Sequence, residues 1–303
     1  MNDTLPKNPL ILAFIILFSY QGITSSFAQK EILHEQYQQS PIFINPAFTG
    51  LREDFNMTLQ LSRRWFTYQN SPVSQTFSAD GTIAQGKVGL GVQALNDNTG
   101  PFHTTGIYGS GSWILNPVSD VKISFGVQGG INVLPVYDSG FNRSTNKALA
   151  SVGVGAWVQN EKIYGGISMP ELLSQSYGTS SMVRSMYSQP VFLMAGANFA
   201  ADEKWLIMPA ILLAHEKNRH FRFDIGTRLW YNERAGVGAT YRTGPINYLA
   251  LSGELQVSKN IRLGYIYNSK LVNYRQFTGS YPVTSMHEIM LKFVPSPTGF
   301  HKN

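Results

Sequence analysis

Catalysis and metal binding need groups that converge, and this chain offers many candidate groups in positions that do not converge. It holds six histidines and eighteen carboxylates. His215 and His220 lack the i, i+4 spacing that puts two ligands on one helix face, and they sit at a turn. His287-Glu288-Ile289-Met290 starts like a His-Glu-x-x-His zinc motif but has no second histidine. The absence of cysteine removes thiolate ligands and thiol nucleophiles. Neither a Gly-x-Ser-x-Gly elbow nor a Walker loop is present. The glycine runs GIYGSGS (106–112) and GVGAW (153–157) are not followed by a helix start, so they do not read as nucleotide loops. Dense glycine here marks tight curvature or close packing of a lumen. Arg63 and Arg64 lie beside Trp65 without a glycine cradle, which suits an interfacial anchor better than a phosphate site. No catalytic residue, metal site or cofactor site is expected.

One set of charges does follow a rule. Arg222, Asp224, Arg228, Glu254, Arg262, Glu288 and Lys292 fall on the polar face of alternating segments, with mixed sign. They read as ion pairs inside a lumen rather than a selectivity constriction, because unpaired charges in a filled interior are costly.

The elements that carry these charges alternate with period two. From 221 to 231, Phe221, Phe223, Ile225, Leu229 and Tyr231 oppose Arg222, Asp224 and Arg228. Asn232-Glu233 fits a tight reversal, and Val237, Ala239 and Tyr241 then resume the apolar row. Leu249, Leu251, Leu255 and Val257 follow, and then Ile261, Leu263, Tyr265 and Tyr267. Four strands in succession with no helix between them fit an antiparallel sheet, either a sandwich or a barrel. Aromatic residues near the strand ends, including Trp230, Tyr231, Tyr248 and Tyr267, favour a barrel whose rings lie at the membrane interface.

Export and composition agree with that reading. Lys7, a run of nine apolar residues from Leu10 to Phe18 and Ser26-Phe27-Ala28 resemble a cleaved signal peptide over 1–28. The run is too short to span a bilayer, which takes roughly 20 apolar residues. Charged residues make up 14% of the chain, against roughly 25% in soluble domains, yet no span is uniformly apolar. A barrel with one apolar and one polar face reconciles the two, and its location is the outer membrane.

In chain order, 29–52 reads as a periplasmic lead-in marked by the turn residues Asn45-Pro46 and Thr49-Gly50. The barrel occupies 53–294 and a tail 295–303 follows it. Alternating segments begin near Met57, Gln75, Val88, Thr104, Val121 and Ala148, and at Lys162, Gln189 and Lys204, ahead of the five from Phe221 onward. The count is about fourteen in one all-β, single antiparallel transmembrane barrel. Residues 96–103, 132–147, 169–187 and 269–285 read as connections, and Pro170 is placed to start one helical turn. The stretch 204–214 is apolar on both faces, with Leu206, Met208 and Leu212 on one and Ile207, Ile211 and Leu213 on the other. Its inward row must be covered, so the interior is partly filled rather than a wide aqueous pore.

Three stretches carry a resemblance. QYQQSPIFINPAFTG (36–50), VGLGVQALNDNTGP (88–101), and RLGYIYN with MHEIMLKF (262–268 and 286–293) resemble the PorP/SprF family of type IX secretion membrane proteins. The likeness spans nearly the whole exported chain and marks Asn45, Pro46, Gly50, Gly264, Tyr265, Tyr267, His287, Glu288 and Leu291 as family-signature positions of structural character. It implies a non-enzymatic outer-membrane barrel of a Bacteroidota bacterium, serving type IX protein secretion or gliding motility by anchoring or assisting a secreted surface protein. The implied partners are outer-membrane lipid, a secreted substrate such as an adhesin, and periplasmic secretion-machinery or peptidoglycan-associated proteins. No nucleic acid is expected. The alternative reading is a passive, porin-like channel.

Overall fold

The computed structural model describes residues 37, 40–52, 55–64, 72–99, 102–118, 120–138, 143–173, 176–177, 184–185, 189–216, 221–243, 247–270 and 285–293. The expected signal peptide and C-terminal tail lie outside these. Fourteen strands form the wall: β1 (Asn56–Arg64), β2 (Val73–Ile83), β3 (Val88–Thr99), β4 (Phe102–Val118), β5 (Val121–Asp138), β6 (Arg143–Gln159) and β7 (Ile163–Met169), then β8 (Val191–Ala197), β9 (Trp205–His215), β10 (Arg222–Tyr231), β11 (Ala235–Thr243), β12 (Tyr248–Gln256), β13 (Ile261–Lys270) and β14 (Met286–Phe293). Each pairs antiparallel with its neighbours in the chain, and β14 returns to pair with β1. The sheet is therefore closed.

Alternation sets which way each side chain faces. Leu59 and Leu61 of β1 stand opposite Leu291 and Ile289 of β14, and all four are exposed on the outside. Gln60 and Ser62 face Met290 and Glu288 across the same ladder and are buried inside. The outward row continues through Leu90, Val92, Phe125, Val127, Ile225, Val237, Leu251, Leu263 and Tyr265. An apolar belt that runs round the whole wall far exceeds the patches soluble monomers expose, and hydrocarbon is the solvent that fits it. The inward row contains Asp224, Arg228, Arg242, Glu254, Arg262, Glu288 and Lys292, all buried, with Arg222 half-buried.

The turns joining β2 to β3, β6 to β7, β10 to β11 and β12 to β13 are short and lie at one end, the periplasmic end in this architecture. At the β10–β11 reversal Tyr231 pairs with Ala235 across a three-residue turn, in which Asn232 and Glu233 both adopt left-handed backbone, φ 51° and 55°, and Arg234 N donates to Tyr231 O.

The ladders extend further than the sequence suggests. Residues 96–99 and 132–138 continue β3 and β5 instead of looping, with Asp97 opposite Thr104 and Val133 opposite Ala148. At 17, 18 and 17 residues, β4, β5 and β6 rise about 55–60 Å along the strand, roughly twice the apolar thickness they cross. Beyond that thickness a strand need not show an apolar face to lipid, so alternation is not enforced there. Residues 171–173 after Pro170 form no helical turn. Instead Leu172 donates its N–H to the carbonyl of Val152, and the Pro170 carbonyl accepts from Gln128 Nε2 at 2.9 Å.

Leu291 lies on the lipid face of the closing strand and Lys292 inside. Leu291→Arg is expected to cost about 2–4 kcal/mol near the bilayer midplane and Lys292→Gln much less. The heat-modifiable gel shift of the folded barrel, compared at equal expression, measures both; the opposite ranking would invert the facing of β14.

Candidate functional site

The interior is not empty. Residues 40–52, expected as a periplasmic lead-in, instead lie within the barrel against its inner wall. Two prolines shape the segment: Pro41–Phe43 and Pro46–Phe48 each make a single 3-10 turn with proline at the start, where its missing N–H costs nothing. Asn45 caps the second turn, its side chain accepting from Ala47 N at 2.9 Å. The result is a compact plug in place of a strand.

Both faces of the plug find partners. Ile42, Ile44, Ala47, Phe48 and Leu51 pack with Ile114, Trp157, Phe192, Met194, Leu212 and Ala214 from β4, β6, β8 and β9. Phe48 meets Trp157 edge-on, with centroids 5.1 Å apart, and Tyr164 stacks on the indole at 5.6 Å. Burying each large aliphatic or aromatic side chain contributes about 1.5–3 kcal/mol as an upper estimate. This contact explains the two-faced β9: its inward Leu212 and Ala214 cover the plug.

The polar contacts run down the β2–β7 side. Asn45 Nδ2 donates to the carbonyls of Ala156 and Ile167 at 3.1 and 3.3 Å. Ser168 donates to Ile44 O, Ser112 to Thr49 O, and Thr49 to Ser110. Gly50 N donates to Asp80 Oδ2 at 2.8 Å. The plug can lie this close because the wall is notched with glycine. A Cβ on Gly126 would sit 2.3 Å from Ala47 N, one on Gly155 2.0 Å from Asn45 Oδ1, and one on Gly89 2.1 Å from Thr49 O. Gly50 itself has φ +73° and would collide with Gly89, so both sides of that contact require glycine.

The opposite side of the lumen is charged. Asp224 takes a bidentate pair of bonds from Arg242, at 2.9 and 2.8 Å, and lies 3.4 Å from Arg222. Arg242 also donates to the Tyr248 hydroxyl. Nearer the periplasmic end Arg228 and Arg262 share Glu254, at 3.3 and 3.9 Å, and Arg262 lies over the Trp230 ring at 4.5 Å. Arg52, at the end of the plug, joins this group. Partial burial pulls its guanidinium below the usual pKa, Asp80 pulls it back and Arg228 adds to the lowering. It stays cationic.

The signature positions separate into three places. Asn45, Pro46 and Gly50 belong to the plug. Gly264 and Glu288 face the lumen. Tyr265, Tyr267 and Leu291 are exposed outside, where the Tyr265 hydroxyl lies 2.6 Å from Nδ1 of the half-buried His287. They form no single site. Of the other residues weighed for chemistry, His215 is exposed and stacks on Phe221, while His220 and Trp65 lie outside the described residues. Among the described residues no group of three His, Asp or Glu side chains is arranged to hold a metal. Sequence reasoning missed Ile42, Ile44, Phe48, Leu51 and Arg52; the available signal was an apolar, proline-marked stretch ahead of glycines spaced at inward positions.

A model of the family described as type IX secretion system membrane protein PorP/SprF matches residues 26–293. No curated protein matches the chain. Similar solved structures include a Pseudomonas aeruginosa FadL homologue, at TM-score 0.53 and 9% identity over 84% of this chain and 93% of that one. The Acinetobacter baumannii outer membrane protein Omp33 gives 0.50 and 10% over 81% and 100%. The Ralstonia pickettii toluene transporter TbuX gives 0.50 and 10% over 83% and 92%. At these identities the likeness is one of fold.

The notch makes a prediction that the cysteine-free background renders clean. Ala47 is fully buried, so Ala47→Cys is expected to resist a membrane-impermeant maleimide. Adding Gly126→Leu should unseat the plug and speed labelling about tenfold or more. Equal labelling with and without Gly126→Leu would mean the plug does not depend on that seat.

Proposed function

The chain belongs to the PorP/SprF family of type IX secretion system membrane proteins and lies in the outer membrane, and we propose that it serves there as a non-catalytic anchor or accessory for a secreted surface protein. In this reading the outer connections hold the secreted partner, an adhesin of a gliding cell being one such substrate. The periplasmic end meets secretion-machinery or peptidoglycan-associated proteins.

The observation that carries the proposal is the filled lumen. A diffusion pore needs a continuous aqueous path, and a segment packed on Trp157, Phe192 and Leu212 removes much of that cross-section. A barrel closed in this way acts through its two rims. The bidentate Arg242–Asp224 pair and the Arg228–Glu254–Arg262 group support the same view, since side chains tied to one another leave a poor lining for a selective channel. Among the described residues no feature of the interior favours the passive-channel alternative.

Purification of the tagged barrel from native cells in mild detergent, followed by mass spectrometry, tests the reading. A secreted surface protein and at least one periplasmic component are expected to co-purify in near-stoichiometric amount. Recovery of an intact, heat-modifiable barrel with neither would overturn it.

A further inference from the structure

Toward the outer end of the wall the lipid-facing rows of β14 and β1–β4 change character. On β1 the outward Leu59 and Leu61 give way to Arg63, and on β14 Ile289 gives way to His287, which stands opposite Arg63 across the seam. Both side chains are half-buried. The imidazole is held at both nitrogens, with Tyr265 Oη 2.6 Å from Nδ1 and Ser285 Oγ 3.2 Å from Nε2. Arg63 brings a fixed positive charge. Its guanidinium carries five N–H donors, enough to serve contacts within the chain and a ligand together.

The row beside Arg63 is uncharged and polar. Gln75 pairs with Leu61, Asn96 with Gln75, and Thr105 with Asn96, so the three share the outward face of Leu61, and all are exposed. Asn96 Nδ2 donates to Gln75 Oε1 at 3.3 Å, and Thr105 Oγ1 donates to Asn96 Oδ1 at 3.2 Å. Among the described residues these side chains make no other hydrogen bond, which leaves amide N–H donors and oxygen lone pairs for a partner outside the chain. Hydrocarbon cannot satisfy them. Donors and acceptors side by side match the hydroxyls of a sugar, each of which is both. Gln75 lies diagonally across the β1–β2 ladder from Arg63, a spacing of about 7–8 Å, so the guanidinium and the amides can address one headgroup.

We propose that Arg63, Gln75, Asn96 and Thr105 bind the headgroup of a phosphorylated glycolipid in the outer leaflet, with the guanidinium on a phosphate and the polar row on sugar hydroxyls. Its acyl chains lie along Leu59, Leu61 and Ile107, which are exposed on the same face nearer the middle of the wall. A free oxyanion has no use for that apolar surface or for the row of amides. The lipid uses the cation, the amides and the apolar surface together. Since Arg63 and His287 face each other across the β1–β14 ladder, the bound headgroup steadies the seam that closes the barrel.

The test uses the full barrel, stripped of lipid in detergent, and the midpoint of its heat-modifiable transition. The added probes are lipid A, a phosphorylated and acylated disaccharide; the same lipid with its phosphates removed; and phosphatidylglycerol. Wild type is expected to gain about 3 °C more from lipid A than from either of the others. Arg63→Gln should lose that difference, and Asn96→Leu should lower it while leaving the response to phosphatidylglycerol unchanged. Lys259→Gln, in the β12–β13 turn at the periplasmic end, should keep it in full. Equal responses of the wild type to the three lipids would overturn the site, as would an Arg63→Gln barrel that keeps the difference. A gain of the same size from inorganic phosphate alone would mean an anion site that needs no lipid, and would overturn it too.

Discussion

In hydrocarbon a strand has no water to satisfy its amides, so the pairing of β1 with β14 is the contact on which everything else in this molecule rests. Open that seam and two rows of N–H and C=O groups face lipid, at a cost of several kcal/mol for each unsatisfied group. Closure in turn imposes the two-sided pattern. Every strand must show lipid one face and the lumen the other, which is why Leu59 pairs outward with Leu291 while Gln60 pairs inward with Met290. A closed wall of fourteen strands encloses more volume than inward side chains of ordinary size fill, and something else must occupy it.

The molecule fills that volume in two chemically different ways. Along β2–β9 the plug supplies apolar side chains to the core and lays its backbone against glycines and serines. Along β10–β14 long charged side chains reach into the lumen and pair with one another, Arg242 with Asp224 toward the outer end and Arg228 and Arg262 with Glu254 toward the periplasmic one. Arg52 belongs to the first half by chain and to the second by charge. A lumen divided in this way has a packed side and an electrostatic side, and the residue ending the plug links them.

Much of this was legible in the residues themselves because lipid enforces period two without exception across its thickness. Strand number, the facing of Ile289 and Leu291, the inward charged row and the need to cover Leu212 all follow from that constraint. The plug does not follow from it. Two 3-10 turns have no period to detect, and Asn45-Pro46 signals a turn equally well in a loop or in a core. Glycine density hinted at close packing but not at what packs there. The strand ends at 96–99 and 132–138 were obscured for the converse reason: beyond the membrane a ladder tolerates any polar residue. The signature positions look like one motif set in sequence, yet they serve the plug, the lumen and the lipid face, three unrelated physical tasks.

The claim that the barrel is closed from within by its own N-terminal segment is tested most directly by single-channel conductance in planar bilayers, comparing the full barrel with one lacking residues 40–52. The account predicts a closed or small, unsteady conductance for the full barrel and a larger, steady one once the segment is removed, with both proteins heat-modifiable to the same extent. A large, steady conductance of equal size in the two would contradict it.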